Sequence, residues 1–274
     1  MSVGVAEASL SRFSRKLHRI TKRSQHTRLP QTDEERASPL HAVDVEPLCL
    51  EQVKSMMLPQ VKARFDEVWT ATFSPKGLSE SVPPRPSRLS AEHAEVLLRT
   101  GIAARADGPG VGDNVPFTVV EEKATGLRQR FILWTREAND LLDKAGYVAQ
   151  VPLGHVSQYL PAVQDECGSV RDLRCGFFQV EIPIEARRYF RFRDSGGDWW
   201  ELTRLPMGHA CAPELMHTIT AVIGGHSSFV RAEYALRDVS VHVWIDGIRL
   251  SGSKDRVLAE TRRMDARATM CGAT

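Results

Sequence analysis

One stretch near the end of the chain most restricts what it can fold into. Val or Ile occupies every second position from 239 to 245, and Ile248 and Leu250 resume the alternation. A period of two predicts β-strands with one apolar face. Asp246-Gly247 lies between the two runs, and Asp-Gly predicts a tight hairpin turn because both turn positions favour positive φ. Residues 239–253 are therefore predicted to form a β-hairpin.

This hairpin has two interpretations. It is either a surface hairpin without chemistry, or a strand tip that presents Asp246 as a metal ligand. The second interpretation requires another carboxylate on a neighbouring strand. Asp172 is the candidate, because it follows a short strand-like entry in VRDLRCGFFQVEIPI at 170–184. Two such carboxylates can hold Mg²⁺, a hard cation that prefers carboxylates and substrate phosphates, but only the fold can bring them together.

Composition narrows the class of protein. The 274 residues are 42% hydrophobic and 26% charged, as expected of a globular chain with a sizeable core. The net charge is only +2, so a nucleic-acid partner must be argued from local features. Five scattered cysteines form no Cys-x-x-Cys pair, which favours a nuclear or cytoplasmic protein over a secreted one. No run approaches about 18 consecutive apolar residues, so no membrane partner is expected.

The first 88 residues carry a basic segment and a helical one. Residues 11–28 contain seven Arg or Lys and no acidic residue. The sequence leaves open whether they form a solvated tail, a nucleic-acid-binding arm, a nuclear-import signal or a transit peptide. We expect residues 1–45 to be a basic, disordered arm. Residues 46–88 are predicted to hold a helical segment over 46–72, from its apolar spacing, and then a Pro/Ser-rich linker.

A second hairpin is predicted at 115–139. Short apolar runs flank a polar turn at 123–126, and Lys123, Arg128 and Arg130 lie near this bend. Such residues are either simply solvated or grip a phosphate group, since Arg offers a bidentate fork and Lys a point charge.

Three helices are predicted from their end signals. Ser90 caps the first, which ends near Gly101. Pro213 opens the second, which has an apolar face and stops at Gly224-Gly225. The third, at 254–268, is rich in charged residues and is predicted to be exposed.

Four segments of this chain resemble the reverse transcriptases of retroelements, in that family's own order. FTVVEEKATGLRQRFILWTREAN resembles the fingers hairpin, and RDLRCGFFQVEIP resembles the motif with the first catalytic Asp. LPMGHACAPELM resembles the loop and helix beneath template and nucleotide, and VWIDGIRLSGS resembles the Tyr-x-Asp-Asp motif. The resemblance covers roughly residues 90–274 and is greatest to the tyrosine-recombinase (DIRS-like) type found in kinetoplastids and relatives.

The resemblance implies an α+β fold, the fingers and palm of a right-hand polymerase, in which an antiparallel sheet carries helices on one face. Residues 89–168 would be fingers-like and residues 169–274 palm-like. The chain continues only about 20 residues past the 239–253 hairpin, so no thumb is expected in it. A missing thumb would weaken the grip on nucleic acid, because phosphate contacts supply most of that affinity.

The resemblance also implies a metal site. Asp172 and Asp246 would bind Mg²⁺ or Mn²⁺ and serve as the catalytic residues, with the Leu173 carbonyl as a further ligand. Two such ions, about 3.5–4 Å apart, can clamp the attacking and leaving oxygens of a phosphoryl transfer.

Roles in nucleotide binding are implied for five residues. Lys123 and Arg130 would contact the triphosphate of an incoming dNTP. Phe177 would exclude a ribose 2′-OH by its bulk, and Met207 and Gly208 would lie near the nucleotide and the template base. The implied partners are this dNTP and an RNA or DNA template with its primer.

Two positions depart from the family pattern. Gly247 stands where the family has a second Asp, which removes one carboxylate and weakens the attraction for Mg²⁺. Glycine suits a tight turn, so the hairpin itself should survive. Trp244 replaces the usual Tyr and offers only an N–H donor.

Three functional hypotheses remain open. The first is a fragment of a retrotransposon's RNA-directed DNA polymerase, which transfers a nucleotide from a dNTP to a primer 3′-OH. The second is a catalytically inactive relic or nucleic-acid-binding protein of reverse-transcriptase origin, which Gly247 favours. The third is an unrelated α/β protein whose hairpins mimic the motifs, and it predicts that Asp172 and Asp246 lie far apart.

Overall fold

The computed structural model describes residues 38–80, 87–153 and 165–274, and the fold within these ranges is mixed α and β. The helices are α1 Leu50–Met56, α2 Pro59–Phe73, α3 Ala91–Arg99, α4 Arg136–Lys144, α5 Ala212–Ile223 and α6 Lys254–Met270. The strands are β1 Ala103–Arg105, β2 Asn114–Lys123, β3 Gly126–Thr135, β4 Cys167–Asp172, β5 Arg191–Arg193, β6 Trp199–Leu202, β7 Ser240–Trp244 and β8 Gly247–Gly252. The α+β class expected from the sequence is confirmed.

The strands of the described ranges pair into three antiparallel sheets. β2 and β3 form the long hairpin predicted at 115–139, with Lys123 paired to Gly126 at its turn. A short sheet has the order β1-β6-β5. The third sheet has the order β4-β8-β7, and its β7 and β8 form the predicted hairpin at 239–253.

The β4-β8-β7 sheet is covered on one face. Ile248 and Leu250 of β8 are buried, whereas Val170 of β4 is 68% exposed. Helices α5 and α6 both pack against this sheet. The arrangement agrees with an antiparallel sheet that carries helices on one side.

Two predicted helix starts are confirmed. The Ser90 hydroxyl accepts a hydrogen bond from the His93 N–H (3.1 Å) at the start of α3. Pro213 lies in the first turn of α5, where a missing N–H leaves no intrahelical bond unmade.

Two helices occupy the segment 46–72, which the apolar spacing predicted to be helical. α1 ends at Met56, α2 begins at Pro59, and Leu58 between them is extended. Proline lacks an N–H and disfavours a helical conformation in the residue before it, so the helix breaks there. The Leu58 N–H instead donates to the Phe229 carbonyl (3.0 Å), which ties this break to the loop after α5.

Helix α5 is buried all round and not only on its predicted apolar face. Every residue from Glu214 to Ile223 is buried. The Glu214 carboxylate accepts two hydrogen bonds from Arg64 (2.9 and 3.0 Å), one from the Tyr147 hydroxyl (2.5 Å) and one from the Gln150 N–H (3.2 Å). A carboxylate is stable in such a core only with partners of this kind. Glu214 therefore joins α2, α5 and the 147–150 loop.

Helix α6 is half-buried, so the prediction of an exposed helix is wrong. Its buried residues recur at three- and four-residue spacing and are Val257, Glu260, Thr261, Met264 and Arg267. Arg267 donates to the Ile223 carbonyl (2.9 Å) at the end of α5 and also to the Tyr234 carbonyl. The periodicity was hidden in the sequence because charged residues occupy part of the buried face.

Residues 38–45, which the sequence assigned to the arm, pack against the β2-β3 hairpin. Leu40 pairs in parallel with Gln129 of β3, and the Gln129 side chain donates to the Ser38 carbonyl (2.9 Å). The rest of the arm, together with residues 81–86 and 154–164 of the predicted linker and fingers-like region, lies outside the described residues. No helix within the three described ranges has both the length and the apolar character needed to cross a membrane.

We expect Glu214→Ala to destabilise the protein by about 3 kcal/mol, because it leaves Arg64 and the Tyr147 hydroxyl without this acceptor. Urea denaturation measures the free energy of unfolding. Glu67→Ala is the matched control, since Glu67 also pairs with Arg64 but has a side chain that is 69% exposed. Its effect should stay below about 0.5 kcal/mol, and equal losses in the two variants would contradict the role of Glu214.

Candidate active site

Asp172 and Asp246 lie side by side at one end of the β4-β8-β7 sheet. Asp172 ends β4 and pairs with Gly247, the first residue of β8. The Leu173 N–H donates to the Asp246 carbonyl (3.0 Å). The antiparallel register thus brings together two carboxylates that are remote in sequence. This adjacency disfavours the hypothesis of an unrelated protein, which predicts that the two residues lie far apart.

The turn that carries Asp246 differs from the predicted one. Trp244 pairs with Gly247, so the turn residues are Ile245 and Asp246 rather than Asp246 and Gly247. Ile245 has φ +55°, whereas neither Asp246 nor Gly247 has a positive φ. A β-branched residue in the left-handed region is strained, and such strain persists only where the surrounding structure holds it. The strain lies at the tip that positions Asp246.

Gly247 has space for a side chain. A Cβ at this position would lie 3.5 Å from the Trp244 carbonyl oxygen and 3.8 Å from Asp172 Oδ1, which are ordinary van der Waals distances. The turn does not need the conformational freedom of glycine here, contrary to the expectation from the sequence. The fold therefore permits an aspartate at 247 beside Asp172.

The two carboxylates have different surroundings. Asp246 is half-buried and Asp172 is exposed. Burial first, and then the negative charge of Asp172, raise the pKa of the Asp246 carboxyl, while Arg130 acts in the opposite direction. Two neighbouring carboxylates, one of them partly desolvated, are stabilised by a shared cation.

The oxygen atoms beside the two aspartates supply part of the coordination shell that a hard divalent cation needs. Asp172, Leu173 and Asp246 line one cleft, and the Leu173 carbonyl also accepts from the Gly176 N–H (3.1 Å). The described ranges contain no group of three or more His, Cys, Asp or Glu that could hold a metal ion. Mg²⁺ often takes one or two protein carboxylates and completes its shell with substrate phosphates and water. These residues therefore suit a site that a bound substrate completes.

A cleft of about 210 Å³ opens beside the two aspartates. The predicted site residues that line it are Asp172, Leu173, Asp246, Arg130, Phe177 and Met207. Lys123 and Gly208 are not among its described lining residues. The fold thus gathers the proposed metal ligands, two phosphate-binding candidates, Arg128 and Arg130, and two residues assigned to the nucleotide.

Lys123 lies at the turn of the β2-β3 hairpin, where its ammonium pairs with Glu121 (2.8 Å). Glu121 also pairs with Arg128 (2.8 Å) and Arg130 (3.1 Å). The hydrogen bond from Lys123, and then that from Arg128, lower the pKa of the Glu121 carboxyl to about 2 against the effect of burial. The cations assigned to a triphosphate are therefore paired with an internal anion.

Gly208 fixes the loop before α5 against strand β3. A Cβ at this position would overlap the Leu133 carbonyl oxygen, so a larger residue would force the two segments apart. The Asn139 side chain donates to the Gly208 carbonyl and accepts from the Ala210 N–H, both at 2.8 Å. Glycine is required here for a close approach of two backbones.

Three further polar residues that line the cleft, His41, Arg174 and Cys175, were not singled out from the sequence. His41 Nε2 lies 3.2 Å from Arg128 Nη1 and 3.6 Å from Cys175 Sγ. His41 belongs to the segment assigned to the arm, so no local pattern pointed to it. Arg174 stands two residues after Asp172 within RDLRC, and this position was the one available signal.

Comparison with known proteins gives a match in structure. No family model and no curated protein matches the chain. The crystal structure of native prototype foamy virus protease-reverse transcriptase matches 85% of this chain and 33% of that chain, with 16% identity and a TM-score of 0.50. For its selenomethionine-labelled CSH mutant the values are 84%, 33%, 17% and 0.49. The chain spans about a third of the length of these proteins, and the likeness to the native structure shows a reverse-transcriptase-like fold.

Asp246→Asn is expected to stabilise the protein at neutral pH. An aspartate with a raised folded-state pKa loses stability as the pH rises from the unfolded-state pKa, about 3.9, through the folded-state pKa. Asparagine has no such loss. Thermal unfolding should therefore give a higher Tm for Asp246→Asn than for wild type at pH 7, with no difference at pH 3.

Asp198→Asn is the control for this comparison, because the Asp198 side chain is 67% exposed. It should change the free energy of unfolding by less than about 0.5 kcal/mol at either pH. A gain for Asp246→Asn that is as large at pH 3 as at pH 7 would exclude an ionisation effect.

Proposed function

We propose that this chain is the fingers and palm of an RNA-directed DNA polymerase of retroelement origin, which transfers a nucleotide from a dNTP to a primer 3′-OH. The observation that carries the proposal is the adjacency of Asp172 and Asp246 beside a cleft that Arg130 and Phe177 also line. A reverse-transcriptase-like fold surrounds these residues. The tyrosine-recombinase affiliation belongs to the same proposal and rests on the sequence motifs.

In this proposal, Asp172, Asp246 and the Leu173 carbonyl would hold Mg²⁺ or Mn²⁺. Such ions supply charge stabilisation to the attacking and leaving oxygens of a phosphoryl transfer. The chain itself fixes where this happens, because the pairing of β4 with β8 holds both carboxylates at the same end of one sheet. Positioning and preorganised charge are the protein's contribution to the rate.

The remaining site residues would bind the nucleotide. Arg130 would exchange Glu121 for phosphate oxygens, a change that suits the planar fork of an arginine. Phe177, half-buried in the cleft wall, would lie under the sugar, and Met207 would lie near the base. Lys123 and Gly208 would act from outside the cleft. Lys123 would contact the triphosphate from the hairpin turn, and Gly208 would fix the position of the loop before α5.

The solved proteins are named as protease-reverse transcriptases, and that activity is theirs. Binding of a primer, an RNA or DNA template and a dNTP by this chain is part of the proposal. The cleft offers apolar and cationic surface side by side, which agrees with a ligand that has a base, a sugar and phosphates.

Gly247 favours a second candidate, a catalytically inactive protein of reverse-transcriptase origin that binds nucleic acid. With glycine at this position, Asp172 and Asp246 have no third acidic partner for a metal among the described residues. The attraction for a divalent cation is correspondingly weaker. For this candidate, nucleic-acid binding would be unchanged in Asp172→Ala.

Primer extension on an RNA template tests the proposal with wild type, Gly247→Asp and Asp172→Ala in Mg²⁺ and in Mn²⁺. We expect detectable extension by wild type in Mn²⁺. Gly247→Asp should raise the rate at least about tenfold, because it adds a ligand where the fold has room. Asp172→Ala should lower the rate at least about 100-fold, because it removes a carboxylate that holds the metal.

Asp265→Ala is the matched control for the loss of an aspartate. Its side chain is 50% exposed and pairs with Arg171 on the far side of β4. Extension should stay within about twofold of wild type. If neither wild type nor Gly247→Asp extended the primer, and if Asp172→Ala bound the template as wild type does, the second candidate would replace the proposal.

Phe177→Ala should lower the discrimination between dNTP and rNTP at least about tenfold, because a smaller side chain leaves space for a 2′-OH. The measurement is the ratio of the two incorporation rates in one protein, so a loss of stability cancels. Phe229→Ala is the control, since Phe229 is also half-buried but lies outside the cleft. An unchanged ratio in Phe177→Ala would remove the role assigned to Phe177.

A further inference from the structure

Three arginines converge on the cleft beside the aspartates. Arg128, Arg130 and Arg174 all line it. Burial is the largest influence on the pKa of His41, which is lowered, and on that of Cys175, which is raised. The positive charges of all three arginines act to lower both pKa values. Two separate side chains therefore lie within the field of the same three cations.

The three arginines differ in their partners. Arg128 and Arg130 are both paired with Glu121, at 2.8 and 3.1 Å. The Arg174 side chain forms no hydrogen bond and no ion pair with any residue of the described ranges, although it lines the same cleft. Arg174 is therefore the cation that can take an anionic ligand without first giving up a partner.

The backbone fixes Arg174 beside the aspartates. It follows Leu173, whose N–H donates to the Asp246 carbonyl (3.0 Å), and its own N–H donates to the Thr274 carbonyl (2.7 Å). Arg171, three residues earlier, instead pairs with Asp265 (3.2 Å) and does not line the cleft. The position of Arg174 thus places its charge at the cleft. Arg171 is a nearby arginine outside the cleft and can serve as a matched control.

Three arginines face two carboxylates among the residues that line the cleft. Asp172 and Asp246 line the cleft, and glycine at 247 leaves the place of a further carboxylate without charge. With glycine at 247 instead of a carboxylate, the cleft repels an anion less strongly, just as it attracts a divalent cation less strongly.

We infer that this cleft binds a polyphosphate anion without a divalent metal ion, and that Arg174 is the principal contact. The guanidinium of Arg174 would bind phosphate oxygens through its fork of N–H groups, and Arg128 and Arg130 would follow by exchanging Glu121 for phosphate. The inference goes beyond the proposed polymerase activity, because it requires neither metal nor primer.

The test is calorimetric titration of the whole chain with inorganic tripolyphosphate in EDTA. Wild type should bind, and affinity should fall as salt is added because the contacts are between charges. Arg174→Gln should weaken binding at least about tenfold, the effect of removing a charged hydrogen-bond donor. Arg174→Lys should restore part of the affinity, since it keeps the charge but not the fork.

Matched controls separate the cleft from the general surface charge. Arg171→Gln makes the same change of charge on an arginine outside the cleft and should bind tripolyphosphate as wild type does. Glu121→Gln should bind it several-fold more tightly, because it releases Arg128 and Arg130. Glu122→Gln, an exposed neighbour, should not. An oligothymidylate with a 5′-hydroxyl, titrated in parallel, distinguishes nucleic-acid backbone phosphates from a free polyphosphate.

Four results would overturn the inference. The first two are unchanged tripolyphosphate binding in Arg174→Gln and an equal loss of tripolyphosphate affinity in Arg174→Gln and Arg171→Gln. The third is tripolyphosphate binding that occurs only when Mg²⁺ replaces EDTA. The fourth is that Arg174→Gln weakens binding of the oligothymidylate but not of tripolyphosphate. Failure of primer extension would not affect the inference, and failure of tripolyphosphate binding in EDTA would not affect the polymerase proposal.

Discussion

The pairing of β4 with β8 is the interaction on which the candidate site depends. It places Asp172 opposite Gly247 and lets the Leu173 N–H bind the Asp246 carbonyl, so that the two carboxylates share one end of the sheet. A slip of one residue would turn each side chain of the strand to the other face. Burial of Ile248 and Leu250 opposes such a slip. The position of the charged groups is therefore set by apolar packing beneath them.

The site concentrates features that destabilise a folded chain. Ile245 has a left-handed backbone conformation, and burial raises the pKa of the Asp246 carboxyl beside Asp172. Structures depart from local rules in this way mostly at functional positions. The compensation lies elsewhere, in α5, which is buried from Glu214 to Ile223, and in the partners of Glu214. Compared with an aspartate at this position, Gly247 lowers the repulsion between carboxylates and makes the net charge of the cleft more positive.

Local patterns predicted much of the fold and missed features that depend on packing. Both hairpins were predictable because alternation and turn residues act within a few positions. The turn at 245–246 was not, since strand register placed Ile245, and not Gly247, at positive φ. The burial of α6 was hidden because its inner face includes Glu260 and Arg267, whose partners come from other elements. Residues 38–45 contact β3 through a pairing that no nearby residue signals.

The sequence by itself determined which groups are available: Asp172, Asp246, glycine at 247 and a set of basic residues. Their types and local strand or turn context can be read within short windows of the chain. Only the tertiary structure decided that Asp172 and Asp246 are neighbours, that Glu121 holds Lys123, Arg128 and Arg130, and that Arg174 has no such partner among the described residues. The physical reason is that electrostatic interactions depend on distances between elements, which packing fixes and sequence spacing does not.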